Sequence, residues 1–252
     1  MVYAHRGGAA LAPENTLAAF DRGMAEGAGG LEFDVRLSRD GVPVVHHDPR
    51  LERTTNGHGP VSALTADELA RVDAGYHFTS EGRFPFRREG IGVPRLEEVV
   101  RRYPDAQLIV EMKDDTAAIA EAVVSVLRKA RALERAALAS FYARPVLAAR
   151  ALGDGVRTGA AQPEVRAALY RSWCGLSPRT PAYYGFQIPE KAGRLRVVSP
   201  RFVRAVTRAG LTVSVWTVNE EADMRRLLSW GVTGLITDRP DLAVPLVRAL
   251  PQ

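Results

Sequence analysis

Histidines, an arginine and two carboxylates one residue apart fall within the first fifty residues, in AHRG at 4–7, LEFDVRLSRDG at 31–41 and HHD at 46–48. Those groups are the ones needed to grip a metal ion and break a phosphodiester. Carboxylates hold a cation, a guanidinium binds phosphate oxygens, and imidazoles move protons near neutral pH. Along a strand, side chains at i and i+2 share a face, so Glu32 and Asp34 point together while Leu31, Phe33 and Val35 point away. The same parity recurs elsewhere. In QLIVEMK, Glu111 and Lys113 oppose Leu108, Val110 and Met112; in LTVSVWTVN, Ser214 and Trp216 oppose Val213 and Val215; in VYAH, Tyr3 and His5 lie together. Each time the polar or aromatic members fall toward the C-terminal end of the segment, the end that carries the active site in a parallel barrel.

Three carboxylates, Glu32, Asp34 and Glu111, converging in a partly buried pocket repel one another and resist ionising, and a bound divalent cation relieves both effects. An all-oxygen ligand set suits Mg²⁺ or Ca²⁺ better than Zn²⁺. His5 and His47 are the candidates for an acid and a base; the sequence leaves the order open, with His5 favoured as the base and His47 as the acid. Arg6 is placed to hold a phosphate oxygen and Lys113 to neutralise another. His46, adjacent to His47 and opposite in parity, reads as packing, and His58 and His77 as solvated loop residues. Asp48 reads as orienting His47 or its turn. Glu14 and Asn15 read as helix-start residues, with Glu14 also able to support Arg6.

The elements that must position these groups alternate almost to the end. Strands are expected at Val2–His5, Leu31–Leu37, Gln107–Lys113, Ala136–Phe141, Val156–Ala160, Tyr183–Ile188, Leu211–Val218 and Gly234–Thr237, with an extended piece at Val42–His46. Helices are expected from about Pro13 to Ala25, at Leu96–Arg102, Ala117–Ala130, from Arg144, and at Pro200–Arg208, Ala222–Trp230 and Leu242–Leu250. That order and length predict an α/β fold, a single (β/α)₈ TIM barrel spanning 1–252, with roughly eight βα units. An open doubly wound sheet is the alternative, but HRGGA after the first strand is not GxGxxG. Residues 50–94 form an insertion expected near the active-site mouth; its aromatics (Tyr76, Phe78, Phe84, Phe86) either rim that mouth or form the insertion's own small core. Residues 171–182 read as a loop.

Composition is that of a globular protein able to bury a core: 252 residues, 46% hydrophobic and 25% charged. The net charge is +5, carried almost wholly by arginine, since the lysines are Lys113, Lys129 and Lys191 alone. The basic charge is scattered and not interleaved with stacking aromatics, which argues against nucleic acid as a partner. One cysteine, Cys174, excludes an internal disulfide. With no signal-like segment before Tyr3 and no apolar run of membrane-spanning length, a cytoplasmic chain without stable membrane insertion is expected.

The chain resembles the glycerophosphodiester phosphodiesterase family nearly end to end, through AHRGG…PENTLAAF, LEFDVRLSRDGVPVVHHD, LERTTNG, VPRLEEVV, LIVEMK and VSVWTVN…WGVTGLITDRP. The resemblance implies a barrel hydrolase that converts deacylated phospholipids such as glycerophosphocholine to glycerol 3-phosphate and an alcohol. It implies metal ligation at Glu32, Asp34 and Glu111, acid/base work at His5 and His47, phosphate contacts at Arg6 and Lys113, and Trp216 against the glycerol or the site wall. It also implies attack by the glycerol 2-hydroxyl through a cyclic phosphate, with direct attack by water as the simpler alternative. His46 stands where such proteins often carry an aromatic or aliphatic residue, and 161–186 departs from the familiar pattern. Rival readings are a lipid-cleaving relative, marked by an exposed aromatic rim on the insertion, and a member that only binds glycerophosphodiesters.

Overall fold

A computed structural model describes residues 1–179 and 182–249. Thr180 and Pro181, in the expected loop, and Leu250, at the end of the expected closing helix, lie outside the described residues. Eight parallel strands follow one another around a nearly closed barrel: β1 (Val2–His5), β2 (Gly30–Leu37), β3 (Gln107–Met112), β4 (Ala136–Ala139), β5 (Arg157–Thr158), β6 (Gly185–Pro189), β7 (Thr212–Trp216) and β8 (Gly234–Thr237). Their pairing order is β5-β4-β3-β2-β1-β8-β7-β6. The seam between β5 and β6 is closed by a parallel bridge at Gly159–Gly185. Two hydrogen bonds flank it, as Ala160 N–H and Tyr184 N–H donate to the carbonyls of Gly185 and Thr158, each at 2.9 Å. The strands run from two to eight residues; β5 is two residues long, against five expected.

Helices α1 (Leu17–Ala25), α2 (Leu96–Arg102), α3 (Ala117–Lys129), α4 (Ala143–Ala151), α5 (Gln162–Trp173), α6 (Pro200–Thr207), α7 (Glu221–Ser229) and α8 (Pro240–Arg248) ring the barrel. Three of them start on a hydroxyl that accepts from an otherwise orphaned backbone N–H: Thr16 from Ala19, Thr116 from Ile119 and Ser199 from Phe202. The outward strand faces meet the helices in two apolar clusters. Leu31, Phe33, Val35, Leu108 and Val110 pack on Phe20, Ile119 and Leu127, while Phe186, Val213, Val215 and Leu235 pack on Phe202 and Leu227. Burying each such side chain contributes about 1.5–3 kcal/mol. Inside the barrel, Tyr3, Ile109 and Ile236 stack with Ala139 and Trp216. Gly30 makes room for that layer, because a Cβ there would lie 2.6 Å from the Tyr3 ring.

Residues 171–173 belong to α5 and not to a loop, and the whole of that helix escaped the sequence reading. Its apolar face is thin: only Ala168, Leu169 and Ser172 are fully buried. A second unforeseen piece is the small hairpin of Lys191–Ala192 with Leu195–Arg196. The extended segment expected at Val42–His46 is a short strand, Pro43–Val45, running antiparallel to β2. Within 50–94, Leu51, Val61, Leu69 and Val93 form an aliphatic nucleus with Val44. The aromatics stay outside it: Phe78 and Phe86 meet edge to face at 5.3 Å, and Arg87 stacks on Tyr76 and Phe84. No helix among the described residues is long and apolar enough to cross a membrane.

Candidate active site

The C-terminal ends of β1, β2, β3 and β7 and the loops after them assemble the polar groups. β1 ends at His5 and turns at once, with Arg6 at φ 50° and Gly7 at φ 90°. At Gly7 a Cβ would sit 2.6 Å from the backbone of Ala19, so the turn can approach α1 this closely only with glycine. His5 Nδ1 lies 2.6 Å from Asp238 Oδ1, at the end of β8. Asp238 is held in turn by Asn219, whose Nδ2 donates to Oδ2 at 2.8 Å and whose Oδ1 accepts from the Asp238 N–H at 2.9 Å. His47 repeats the arrangement, with Nδ1 2.6 Å from Asp48 Oδ1. In both imidazoles the bond at Nδ1 leaves Nε2 for other work, and His5 Nε2 is 3.8 Å from Glu32 Oε2.

Ligand oxygens of Glu32, Asp34 and Glu111 lie within 4.8 Å of one another. Lys113 Nζ bridges Asp34 Oδ1 at 3.0 Å and Glu111 Oε1 at 2.8 Å. Arg6 Nε stands 3.2 Å from Asp34 Oδ2, and its terminal nitrogen donates to Glu14 at 2.7 Å. Arg53, from the 50–94 segment, binds both Glu14 oxygens and Asp48, joining the supports of Arg6 and His47.

These surroundings set the charge states. Burial pushes the Glu32 carboxyl up to about 7, with the negative charges of Asp34 and Glu111 adding to it against the pull of His5. Burial likewise raises Glu111, in spite of Lys113. Asp34 behaves differently: burial works against its charge, but Lys113 and Arg6 outweigh that and hold it below its ordinary value. For His5 burial opposes the charged form, yet the Asp238 hydrogen bond and the Glu32 charge lift it above its ordinary value. The expected mutual repulsion thus falls on two carboxylates and is relieved at the third by the neighbouring cations.

All six of His5, Arg6, Glu32, His47, Glu111 and Lys113 line one cavity of about 590 Å³, with Trp216 in its wall. Asp34 is 1% exposed and meets the others through Arg6 and Lys113. Trp216 packs edge to face on Phe141 at 5.7 Å. His46 is buried, its Nε2 3.2 Å from the Arg50 carbonyl, and burial holds it below its ordinary value. His58 and His77 are exposed.

Three residues of the site were missed or misread in the sequence. Asn15 is not the helix cap, which is Thr16; with φ 58° it turns its amide inward, donating to Asp34 Oδ2 at 2.8 Å. Asp238 and Asn219 lie in the TDRP and WTVN segments, which sequence reading used as signatures without giving these residues a task. The available signal was their position beyond strand C-terminal ends, Asp238 directly after β8 and Asn219 three residues after β7.

Comparison with known proteins places the chain. A model of the glycerophosphoryl diester phosphodiesterase family matches residues 5–242. A glycerophosphodiester phosphodiesterase of Caldanaerobacter subterraneus subsp. tengcongensis is 31% identical over 257 residues, covering 98% of each chain. The glycerophosphoryl diester phosphodiesterase domain of an uncharacterized Mycobacterium tuberculosis protein superposes with a TM-score of 0.85 at 25% identity, covering 98% of both chains. An Oleispira antarctica phosphodiesterase, solved in complex with the product sn-glycerol-3-phosphate, gives a TM-score of 0.77 at 25% identity over 99% of this chain and 97% of that one.

Proposed function

The chain belongs to the glycerophosphoryl diester phosphodiesterase family and is an enzyme of that activity, and from that premise we propose that it cleaves glycerophosphodiesters by paired histidine acid/base catalysis beside a divalent cation. The observation that carries this reading is the repeated Asp–His geometry. Asp238 and Asp48 each take an imidazole Nδ1 at 2.6 Å, so both Nε2 atoms serve the cavity that also holds the carboxylates.

Glu32, Asp34 and Glu111 fit a hard cation, Mg²⁺ or Ca²⁺: their donors are all oxygen and cluster within 4.8 Å. Bound there, the cation supplies Lewis-acid polarisation of a phosphate oxygen and lowers the pKa of a neighbouring hydroxyl. Part of the upward push on His5 is the Glu32 charge. A cation held there would compensate that charge, leaving the Asp238 hydrogen bond as the main support of the imidazole. His5 then takes the proton of the glycerol 2-hydroxyl as it attacks phosphorus, and His47 gives one to the departing alcohol. In the second half the roles reverse, and water opens the cyclic phosphate to glycerol 3-phosphate. Arg6 and Lys113 bind the phosphate oxygens, and Trp216 walls the glycerol. The product bound by the Oleispira relative supports the glycerol phosphate end of this assignment. A small-molecule substrate and a cytoplasmic site of action complete the reading; the single, exposed Cys174 supports a reducing compartment.

The test is release of glycerol 3-phosphate from glycerophosphocholine and glycerophosphoethanolamine, first with EDTA and then with Mg²⁺ or Ca²⁺ restored. Cation-dependent release is expected; release that EDTA leaves intact would remove the cation from the mechanism. Asp238→Asn keeps the shape of the His5 support and deletes its charge. It is expected to lower kcat by about 10–100-fold with KM nearly unmoved, and a change confined to KM would mean that Asp238 does not act through His5.

A further inference from the structure

The cavity extends well past the groups that meet a phosphate. On the side of β6, α5 and the small hairpin its lining is mostly apolar (Val165, Leu169, Tyr170, Ile188, Leu195 and Val197), with Gln162, Arg166 and Gln187 set among these side chains. The only carboxylates lining the cavity among the described residues are Glu32 and Glu111, both in the ligand cluster, so the far arm has no acid with which to pair a choline or ethanolamine ammonium. Its one charged group is cationic, Arg166, and a second cation, Lys113, already lies 5.4 Å from the centre of the Phe141 ring in the aromatic wall. A positive head group would therefore meet like charge. The volume, about 590 Å³, falls in the range of roughly 300–1,000 Å³ that encloses drug-sized ligands, more than a glycerol phosphate alone fills. The mouth is apolar as well, with Phe141, Tyr170 and Leu195 at 55%, 58% and 45% exposure. Phe141 and Tyr170 thus give this side of the barrel an exposed aromatic edge, whereas no residue of 50–94 lines the cavity, although Phe84 there is exposed as well.

We infer that this arm receives a single alkyl or acyl chain, so that the preferred substrates are phosphodiesters with a long apolar tail on one of their two alcohols. The inference rests on the phosphodiesterase reading above and specifies its substrate class. The tail can sit on the leaving alcohol or on the glycerol, as in a lysophospholipid, and the experiment separates the two.

Two substrate series, glycerophospho-n-alkanols from methyl to dodecyl and 1-acyl-glycerophosphoethanolamines from acetyl to dodecanoyl, are assayed below their micelle-forming concentrations. In one series kcat/KM is expected to climb by up to about fourfold per methylene until the arm is full; which series climbs identifies the alcohol that bears the tail. Leu195→Asp and Tyr170→Ser, both at exposed positions where folding tolerates change, are expected to flatten the climb. Turnover of the methyl diester, which is neutral at that end and has no tail to place in the arm, should stay unchanged in both. Flat or falling kcat/KM in both series, with short diesters still cleaved, overturns this inference alone. Glycerophosphocholine outrunning every tailed diester also overturns it, assigning the aromatic wall to a quaternary ammonium. No cleavage of any diester overturns the phosphodiesterase reading beneath it.

Discussion

His5→Ala and His47→Ala are each expected to lower kcat by about 10²–10⁴, and the double variant to fall little below the weaker single one. The two imidazoles serve opposite ends of one proton-transfer sequence, so removing either stalls both halves, and groups that act as a unit are strongly non-additive. The fold should survive. His5 sits at the end of β1 with its side chain 16% exposed, and its removal leaves Asp238 still held by Asn219; the His47 side chain is 32% exposed. Steady-state rates beside a thermal melt of each variant check both halves of this expectation. A folded His47→Ala enzyme within tenfold of the parent would remove His47 from the chemistry.

Glu32→Gln should separate stability from activity. In the cation-free protein this carboxyl ionises only at about 7, against 4.5 for the free side chain. Below 4.5 both states are protonated and Glu32 is neutral to stability. Between 4.5 and 7 the unfolded chain gains by ionising first, and above 7 the native state carries the whole penalty. At 1.36 kcal/mol per pK unit, that penalty is on the order of 3 kcal/mol. The amide keeps an oxygen facing the Arg6 N–H, 3.4 Å from it in the parent. In EDTA at pH 8 the variant should melt several degrees above the parent, at about 2–4 °C per kcal/mol, with most of that gain gone by pH 5. In the presence of Mg²⁺ or Ca²⁺ it should lose more than about a hundredfold in kcat/KM. A variant as unstable as the parent at pH 8 would mean the Glu32 charge is better compensated than its surroundings suggest. Full activity would take Glu32 out of the ligand set.

Strand parity made most of the site legible. Alternation along β2 and β3 fixes which face Glu32, Asp34, Glu111 and Lys113 share, because a side-chain period of two leaves no other choice, and the opposite face is the apolar one in contact with the helices. What parity cannot supply is the partner that arrives from a turn. Asn15 reaches Asp34 only because its backbone is left-handed, and Asp238 meets His5 only because β8 closes beside β1. Helix α5 was illegible for a different reason. Its cavity-facing residues, among them Val165, Arg166 and Tyr170, are a mixed set, so the helix lacks the continuous apolar stripe that marks α3. The residues that line an open cavity are those least constrained to look like a core.

The pairing of His5 with Asp238 spans 233 residues and bridges the first and last strands. On the ribosome, where chains grow by about 5–20 residues per second, His5 therefore emerges 233 residues before its partner. Every shorter nascent chain lacks the aspartate, and every misclosed barrel separates the two. The fully supported His5 imidazole therefore forms only once β8 has been made and has closed beside β1.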